Sequence, residues 1–162
     1  MKNSGEPVGN GNDSLAEREI LYRLDWHRNY PQSVQRVWTA ISDQIEISAW
    51  MGYPTKLELH PGGLIHIDFS AQDSLEGTVC NIEPLRLLVY TWGDSLVKWE
   101  LDLDTESTKL HLVHVGVRPE LAAGLGAGWH AFLDQLEDHL GGGGRPARYR
   151  ELKNRYEAEL KP

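Results

Sequence analysis

Six short strand-like runs followed by one long amphipathic stretch leave this chain few ways to fold. The runs are Lys56–His60, Leu64–Phe69, Gly77–Ile82, Leu87–Trp92, Leu96–Asp104 and Thr108–Val115. Links such as Pro61–Gly62–Gly63, Glu83–Pro84 and Gly93–Asp94 are turn sequences too short to hold a crossover helix, so successive runs are expected to pair antiparallel as a meander. In Leu96–Asp104, Val97, Trp99, Leu101 and Leu103 alternate with Lys98, Glu100, Asp102 and Asp104, which predicts one dry face and one wet face. The stretch that follows opens at Pro119–Glu120 and closes at Gly141–Gly144. It sets Leu121, Leu125, Trp129, Phe132, Leu133, Leu136 and Leu140 on one side of a helix. A sheet and a helix with one apolar face each must bury those faces against one another, so a curved sheet wrapped around a long helix is expected.

Upstream, Ile20, Tyr22, Leu24, Trp26 and Tyr30 alternate with Arg23, Asp25, His27 and Asn29, the period of a half-buried strand, with Arg28 on the apolar side near its end. Pro31 and Ser33 are helix-start chemistry for Val34, Val37, Trp38 and Ile41. Asp43 is placed to cap a second short helix carrying Ile45, Ala49 and Trp50, which Gly52–Tyr53–Pro54 ends.

At 18.3 kDa the chain has room for one domain. Three segments are expected: a disordered leader over 1–17, the folded domain over 18–141, and a glycine linker with a short helix or tail over 142–162. In that last segment Tyr149, Leu152, Tyr156 and Leu160 recur at near-heptad spacing. A docked tail helix is the first reading, with a dimerisation seam and a lid as alternatives. The segment from Arg145 to Pro162 carries six Lys/Arg against three Glu, so of the formal net charge of −8 the tail holds about +3 and the body about −11. An acidic body argues against sequence-independent nucleic-acid binding. No apolar run approaches the length of a membrane span, and the N-terminal segment lacks a secretory h-region. The one cysteine, Cys80, cannot form an internal disulfide and sits near Val79 and Ile82, so a buried thiol in a reducing cytoplasm is expected.

The strings PQSVQRVWTAISD, HPGG at 60–63, GTVCNIEPLRLLVYTW, TKLHLVHVG and GWHAFLDQLEDHL, in this order, resemble the activator of heat-shock protein 90 ATPase homologue family. That family lies within the superfamily of START and Bet v 1-like (SRPBCC) domains. The resemblance covers roughly residues 18–141. It implies an α+β helix-grip fold, with an antiparallel sheet of about seven strands and two short helices after the first strand, and a cavity between the sheet and the C-terminal helix. The superfamily hosts lipid carriers, polyketide cyclases and hormone receptors, so the fold does not by itself name a function. Co-chaperones of this family carry a further large N-terminal domain, and the seventeen or so residues ahead of the first strand are too few for one.

Six tryptophans in 162 residues give such a cavity an aromatic lining. Trp26, Trp50, Phe69, Tyr90, Trp92, Trp99, Trp129 and Leu133 are the expected ligand-binding side chains, with Arg28 or His114 anchoring a polar group. His111 and His114 have opposite parity on their strand, and the family pattern makes His114 the inward one. His114 is then a core residue, a ligand anchor or a general base. His60, His66 and Asp68 lack a compact ligand spacing and read as surface groups, so no metal and no cofactor is expected. GLGAGW at 124–129 resembles a dinucleotide fingerprint, but it has Trp129 at the third glycine and follows helical sequence. Its small residues fit close approach of the helix start to the sheet or room at a cavity mouth. Asp134, Glu137 and Asp138 fall opposite the leucines and are expected in solvent.

The leading expectation is therefore a binding module, monomeric or weakly dimeric, that holds or sequesters a hydrophobic aromatic or polycyclic small molecule, as a natural-product self-resistance protein does. The alternatives are a cyclase, aromatase or hydrolase using His114 with Arg28 or Tyr90, and a chaperone-interacting regulator that binds through the acidic surface.

Overall fold

The structure is a computed structural model and describes residues 20–104, 106–141 and 149–160. The expected leader and most of the glycine-rich linker lie outside the described residues. The elements follow the order β1 (Tyr22–Tyr30), α1 (Val34–Ser42), α2 (Gln44–Met51), β2 (Thr55–Leu57), β3 (Leu64–Asp68), β4 (Ser74–Glu83), β5 (Leu87–Trp92), β6 (Ser95–Asp104), β7 (Ser107–Val117), α3 (Pro119–His139) and α4 (Tyr149–Glu159). All strands join one antiparallel sheet in the order β1-β7-β6-β5-β4-β3-β2. The meander thus returns its last strand to the first, and β1 and β2 form the two edges. This is the Bet v 1-like helix-grip architecture that the sequence implies.

Local chemistry places the two short helices. Ser33 accepts a hydrogen bond from the Arg36 amide at 3.2 Å, and one oxygen of Asp43 accepts from the amides of Ile45 and Glu46 at 2.8 and 3.1 Å. Glu46 then ties three helices together: Arg36 Nη1 and His139 Nε2 donate to the same carboxylate oxygen at 2.7 and 2.9 Å. Partial burial pushes the Glu46 carboxyl up, but the hydrogen bonds from His139 and Arg36 outweigh it and hold the group below its ordinary value.

The core lies between the inner face of the sheet and α3, closed at one end by α1 and α2. Leu88, Leu101, Leu110, Leu112, Leu133 and Leu136 are among its fully buried side chains. Each such leucine contributes about 2 kcal/mol of transfer free energy. Inner-face parity holds through β6 and β7, where Val97, Trp99 and Leu101 lie against Leu110, Leu112 and His114.

Several side chains depart from expectation. Ile20 is exposed because β1 begins at Tyr22, opposite Val117 at the last position of β7, and no strand lies across from Ile20. Ile45 is exposed because α2 turns Ile47, Trp50 and Met51 inward instead. Leu103, one pair from the end of the β6–β7 hairpin, and Leu121, in the first turn of α3, are exposed too. Cys80 is exposed, not buried, because it alternates with the inward Val79, and the register shift between Val79 and Asn81 resets the parity only after it, leaving Asn81 outward and Ile82 partly buried.

α4 packs along α3. Tyr156 lies over Gly126, where a Cβ would come within 2.9 Å of its ring, and beside the buried Ala127 and Ala131. Its hydroxyl receives the Trp26 indole N–H at 3.1 Å and meets His130 Nδ1 at 3.2 Å. The Leu160 carbonyl accepts from the Tyr22 hydroxyl at 3.4 Å. Within the GLGAGW string it is thus Gly126 that admits the close approach of α4.

Candidate functional site

Where β5 turns into β6, Gly93 takes φ 57 at the first central position of a two-residue hairpin, a conformation glycine adopts without steric cost. The turn brings Ser95 directly opposite Trp92, and β7 brings His114 alongside. A chain of hydrogen bonds follows. The Trp129 indole N–H, which can only donate, gives its proton to His114 Nδ1 at 2.9 Å. Nδ1 is therefore the unprotonated nitrogen, and Nε2–H donates to Ser95 Oγ at 2.6 Å. Ser95 in turn donates to the Trp92 carbonyl at 2.7 Å. Burial pushes the His114 pKa down to about 4, so the ring is neutral at pH 7.

Around this chain the aromatic rings form two fused circuits that share the Trp129–Phe132 contact. One runs Trp129–Trp99–Trp50–Phe132, with centroids 5.6 to 6.4 Å apart and mostly edge-on. Its three tryptophans are buried. The other runs Trp129–Trp92–Phe69–Tyr53–Phe132, with centroids 5.1 to 6.2 Å apart. Four of its rings, Trp92, Phe69, Tyr53 and Phe132, line a cleft of about 870 Å³ between α3 and the sheet. Gly124 and Gly128 form part of its helix side, and Gln135, which donates to the Trp50 carbonyl at 2.7 Å, also lines it. The rim is charged and mainly acidic: Asp73, Glu120 and Glu157 stand with Lys153 and with Arg118, which is paired to Asp94 at 2.7 Å.

The side chains expected to line a ligand site are thus divided. Phe69 and Trp92 line the cleft. Trp129 and His114 lie directly behind Trp92, with ring centroids 5.1 and 5.8 Å from it. Trp50, Tyr90, Trp99 and Leu133 are packed in the core. Tyr90 accepts the Trp99 indole N–H at 2.9 Å, and its hydroxyl is pushed well above the ordinary tyrosine value by burial. Trp26 serves the α4 contact. Arg28 is not at the cleft; its Nη1 donates to Asp134 Oδ1 at 2.9 Å on the far flank of α3. Asp134 is accordingly a half-buried ion-pair partner and not a solvated group.

Three site residues were not anticipated. Ser95 requires knowing the hairpin that sets it beside His114. Tyr53 lay in a segment whose only legible signal was helix termination. Phe132 was visible as an apolar helix position, three residues from Trp129, and three-residue spacing on a helix was the available sign that the two share a face.

The fold defines the class: a Bet v 1-like helix-grip domain with an aromatic cleft beneath its long helix. The sequence model of the Activator of Hsp90 ATPase homolog 1-like protein family matches residues 31–141, and the chain belongs to this family. Among solved structures, CalU16 from Micromonospora echinospora superposes with a TM-score of 0.73 at 23% identity, over 90% of this chain and 98% of that one. The conserved protein of unknown function EF2215 from Enterococcus faecalis gives 0.75 at 14% identity, over 97% of each chain. DynU16, described as a putative protein in the dynemicin biosynthetic locus, gives 0.64 at 25% identity, over 78% of this chain and 49% of that one. A comparison with curated proteins gives no match.

Proposed function

We propose that this protein binds a hydrophobic aromatic small molecule in the cleft between α3 and the sheet, as a carrier or sequestering module. The observation that carries the reading is the half-open aromatic circuit: four rings, Trp92, Phe69, Tyr53 and Phe132, each touching the next, face about 870 Å³ of space. That volume falls in the range of small-molecule sites, which are mostly apolar with a few polar groups at the edge. The description of the similar DynU16 as a putative protein in the dynemicin biosynthetic locus supports a natural product as the ligand class.

The Ser95–His114 contact resembles an acyl-transfer dyad, but the protons are arranged against it. A general base must accept from serine, whereas here Nε2 carries the hydrogen and the Trp129 indole occupies the other nitrogen. The contact therefore favours a polar brace behind Trp92 over a catalytic pair.

The test is an NMR titration of indole and amide shifts against aromatic natural products, lipids and sterols. Binding should move Trp92 and Trp129 resonances, and Trp92→Ala should weaken it about tenfold or more, the effect of losing one well-stacked ring worth about 1.4 kcal/mol. No shift with any compound would overturn the reading. Turnover of a bound compound that His114→Ala abolishes while binding persists would replace it with the enzymatic one.

A further inference from the structure

On the opposite face of the sheet from the cleft, three neighbouring strands set four metal-ligating side chains together. His27 on β1 and His111 on β7 are direct cross-strand partners. Glu100 on β6 is the direct partner of His111 on its other side, and Asp25 precedes His27 by one period of the strand. The two imidazole rings stack with centroids 4.1 Å apart and planes 13° from parallel. His111 Nε2 lies 2.6 Å from Asp25 Oδ1, and its Nδ1 lies 3.3 Å from Glu100 Oε1. Among the described residues this is the one group in which three such side chains bring a donor atom each within 4.8 Å of one another.

We propose that Asp25, His27 and His111 form a binding site for a zinc-class divalent transition metal ion across the β1–β7 seam, with Glu100 orienting His111 from behind.

Each donor fits its part. Two imidazoles and one carboxylate favour Zn²⁺, Cu²⁺, Ni²⁺ or Co²⁺ over the all-oxygen preference of Mg²⁺ and Ca²⁺. Ligand atoms at about 2.1 Å from a tetrahedral zinc stand roughly 3.4 Å apart, so His111 Nε2 and Asp25 Oδ1, now 2.6 Å apart, open by under about an ångström, and the His27 donor, within 4.8 Å of both, closes by at most about 1.5 Å. The half-exposed to exposed side chains permit this by χ rotation, which also unstacks the two rings so that each can aim an in-plane nitrogen at the ion, while the paired strands hold their Cα positions. With His111 Nε2 on the metal, its Nδ1–H donates to Glu100, the carboxylate–histidine–metal arrangement that fixes tautomer and ring orientation. Arg23 clamps both oxygens of Asp25, Nε on Oδ2 at 2.8 Å and Nη2 on Oδ1 at 3.2 Å, so an ion taking Oδ1, the oxygen next to His111 Nε2, displaces the longer of the two contacts. A histidinium at position 111 between two carboxylates would account for Asp25 and Glu100 but not for the second imidazole stacked against it. Three protein ligands leave a fourth position open toward a depression of about 430 Å³ on the same face, lined also by Arg86 and Lys109, where water or an anionic group completes the shell.

The site spans β1, an edge strand whose one sheet neighbour is β7. A bound ion therefore clips that edge and recognises the folded chain alone, so it raises the melting temperature by mass action. The experiment is calorimetric titration of the full chain with Zn²⁺, paired with thermal melts, on the wild type and on His27→Ala, His111→Ala, Glu100→Gln and His66→Ala. His66, held between Asp68 and Glu76 on β3 and β4, serves as the control histidine. The expected result is one saturable Zn²⁺ per chain with a raised melting temperature. Affinity should fall at least about tenfold in each of the two histidine ligand variants and by roughly the same factor or less in Glu100→Gln, and should be unchanged in His66→Ala. Absence of saturable binding in the wild type, undiminished affinity in His27→Ala, or loss of binding in His66→Ala would each overturn the proposal.

Discussion

The two aromatic circuits under α3 are built from the same residue types and share a Trp129–Phe132 edge, yet they do different things. In the inner circuit every indole is spoken for: Trp129 donates to His114, Trp99 to Tyr90 and Trp50 to the Ala40 carbonyl at 2.8 Å. In the outer circuit Trp92, Phe69, Tyr53 and Phe132 are only partly buried and present rings to open space. Aromatic content therefore does not separate core from pocket; satisfaction of the polar edge and access to solvent do. Trp129 is the hinge of the comparison, since it belongs to both circuits and carries the hydrogen bond that fixes His114.

Removing that hinge has the largest expected effect. Trp129→Ala deletes a fully buried side chain, opens a cavity between the circuits and leaves His114 Nδ1 without its donor. The expected destabilisation is about 4 kcal/mol, read from the denaturation midpoint in urea. Trp92→Ala, on the outer circuit, should cost clearly less while acting on ligand binding. Equal losses at the two positions would erase the distinction between core and cleft.

A smaller effect tests whether the inner circuit is as dry as its burial indicates. In the unfolded chain His114 takes up a proton near pH 6.5, and in the fold burial delays this to about pH 4. Between those values the unfolded state binds more protons, so stability falls as pH falls through the window. The full shift corresponds to about 3 kcal/mol. His114→Asn keeps an acceptor for the Trp129 indole and does not titrate, so its stability should decline less between pH 7 and pH 4, by about that amount. Parallel pH profiles would mean that water reaches the ring.

The fold was legible because strand alternation, turn residues and the helical apolar stripe are period signals, and they agreed along the whole chain. The inward orientation of His114 followed from parity on one strand together with the family pattern. What escaped were features set by pairs of strands or by register. Ser95 meets His114 through a hairpin and an adjacent ladder. Ile82 is brought back toward the inner side by a bulge after Val79 that has no composition signature, and the neighbouring Cys80 reads in the sequence as buried with it. His27 and His111 face one another across a register that joins segments far apart in sequence. Arg28 and Asp134 show the same limit, since each looked plausible elsewhere until β1 and α3 were placed side by side.

The smallest effect concerns how firmly α4 closes the flank of α3 beside the cleft. Lys153 and Glu157 on α4 reach the cleft rim, whereas Tyr156 sits over Gly126. Gly126→Ala gains roughly 0.5–1 kcal/mol of helix propensity within α3 but sets a methyl group 2.9 Å from the Tyr156 ring, which must move. These terms nearly cancel, so global stability should change by less than about 1 kcal/mol. The displacement should appear locally, as faster amide hydrogen exchange in α4 and an altered Trp26 indole resonance once the Tyr156 hydroxyl no longer receives its proton. Unchanged exchange in α4 with an unchanged Trp26 signal would mean that Tyr156 finds another seat, and that the α4 contact is looser than the one that seals the inner circuit.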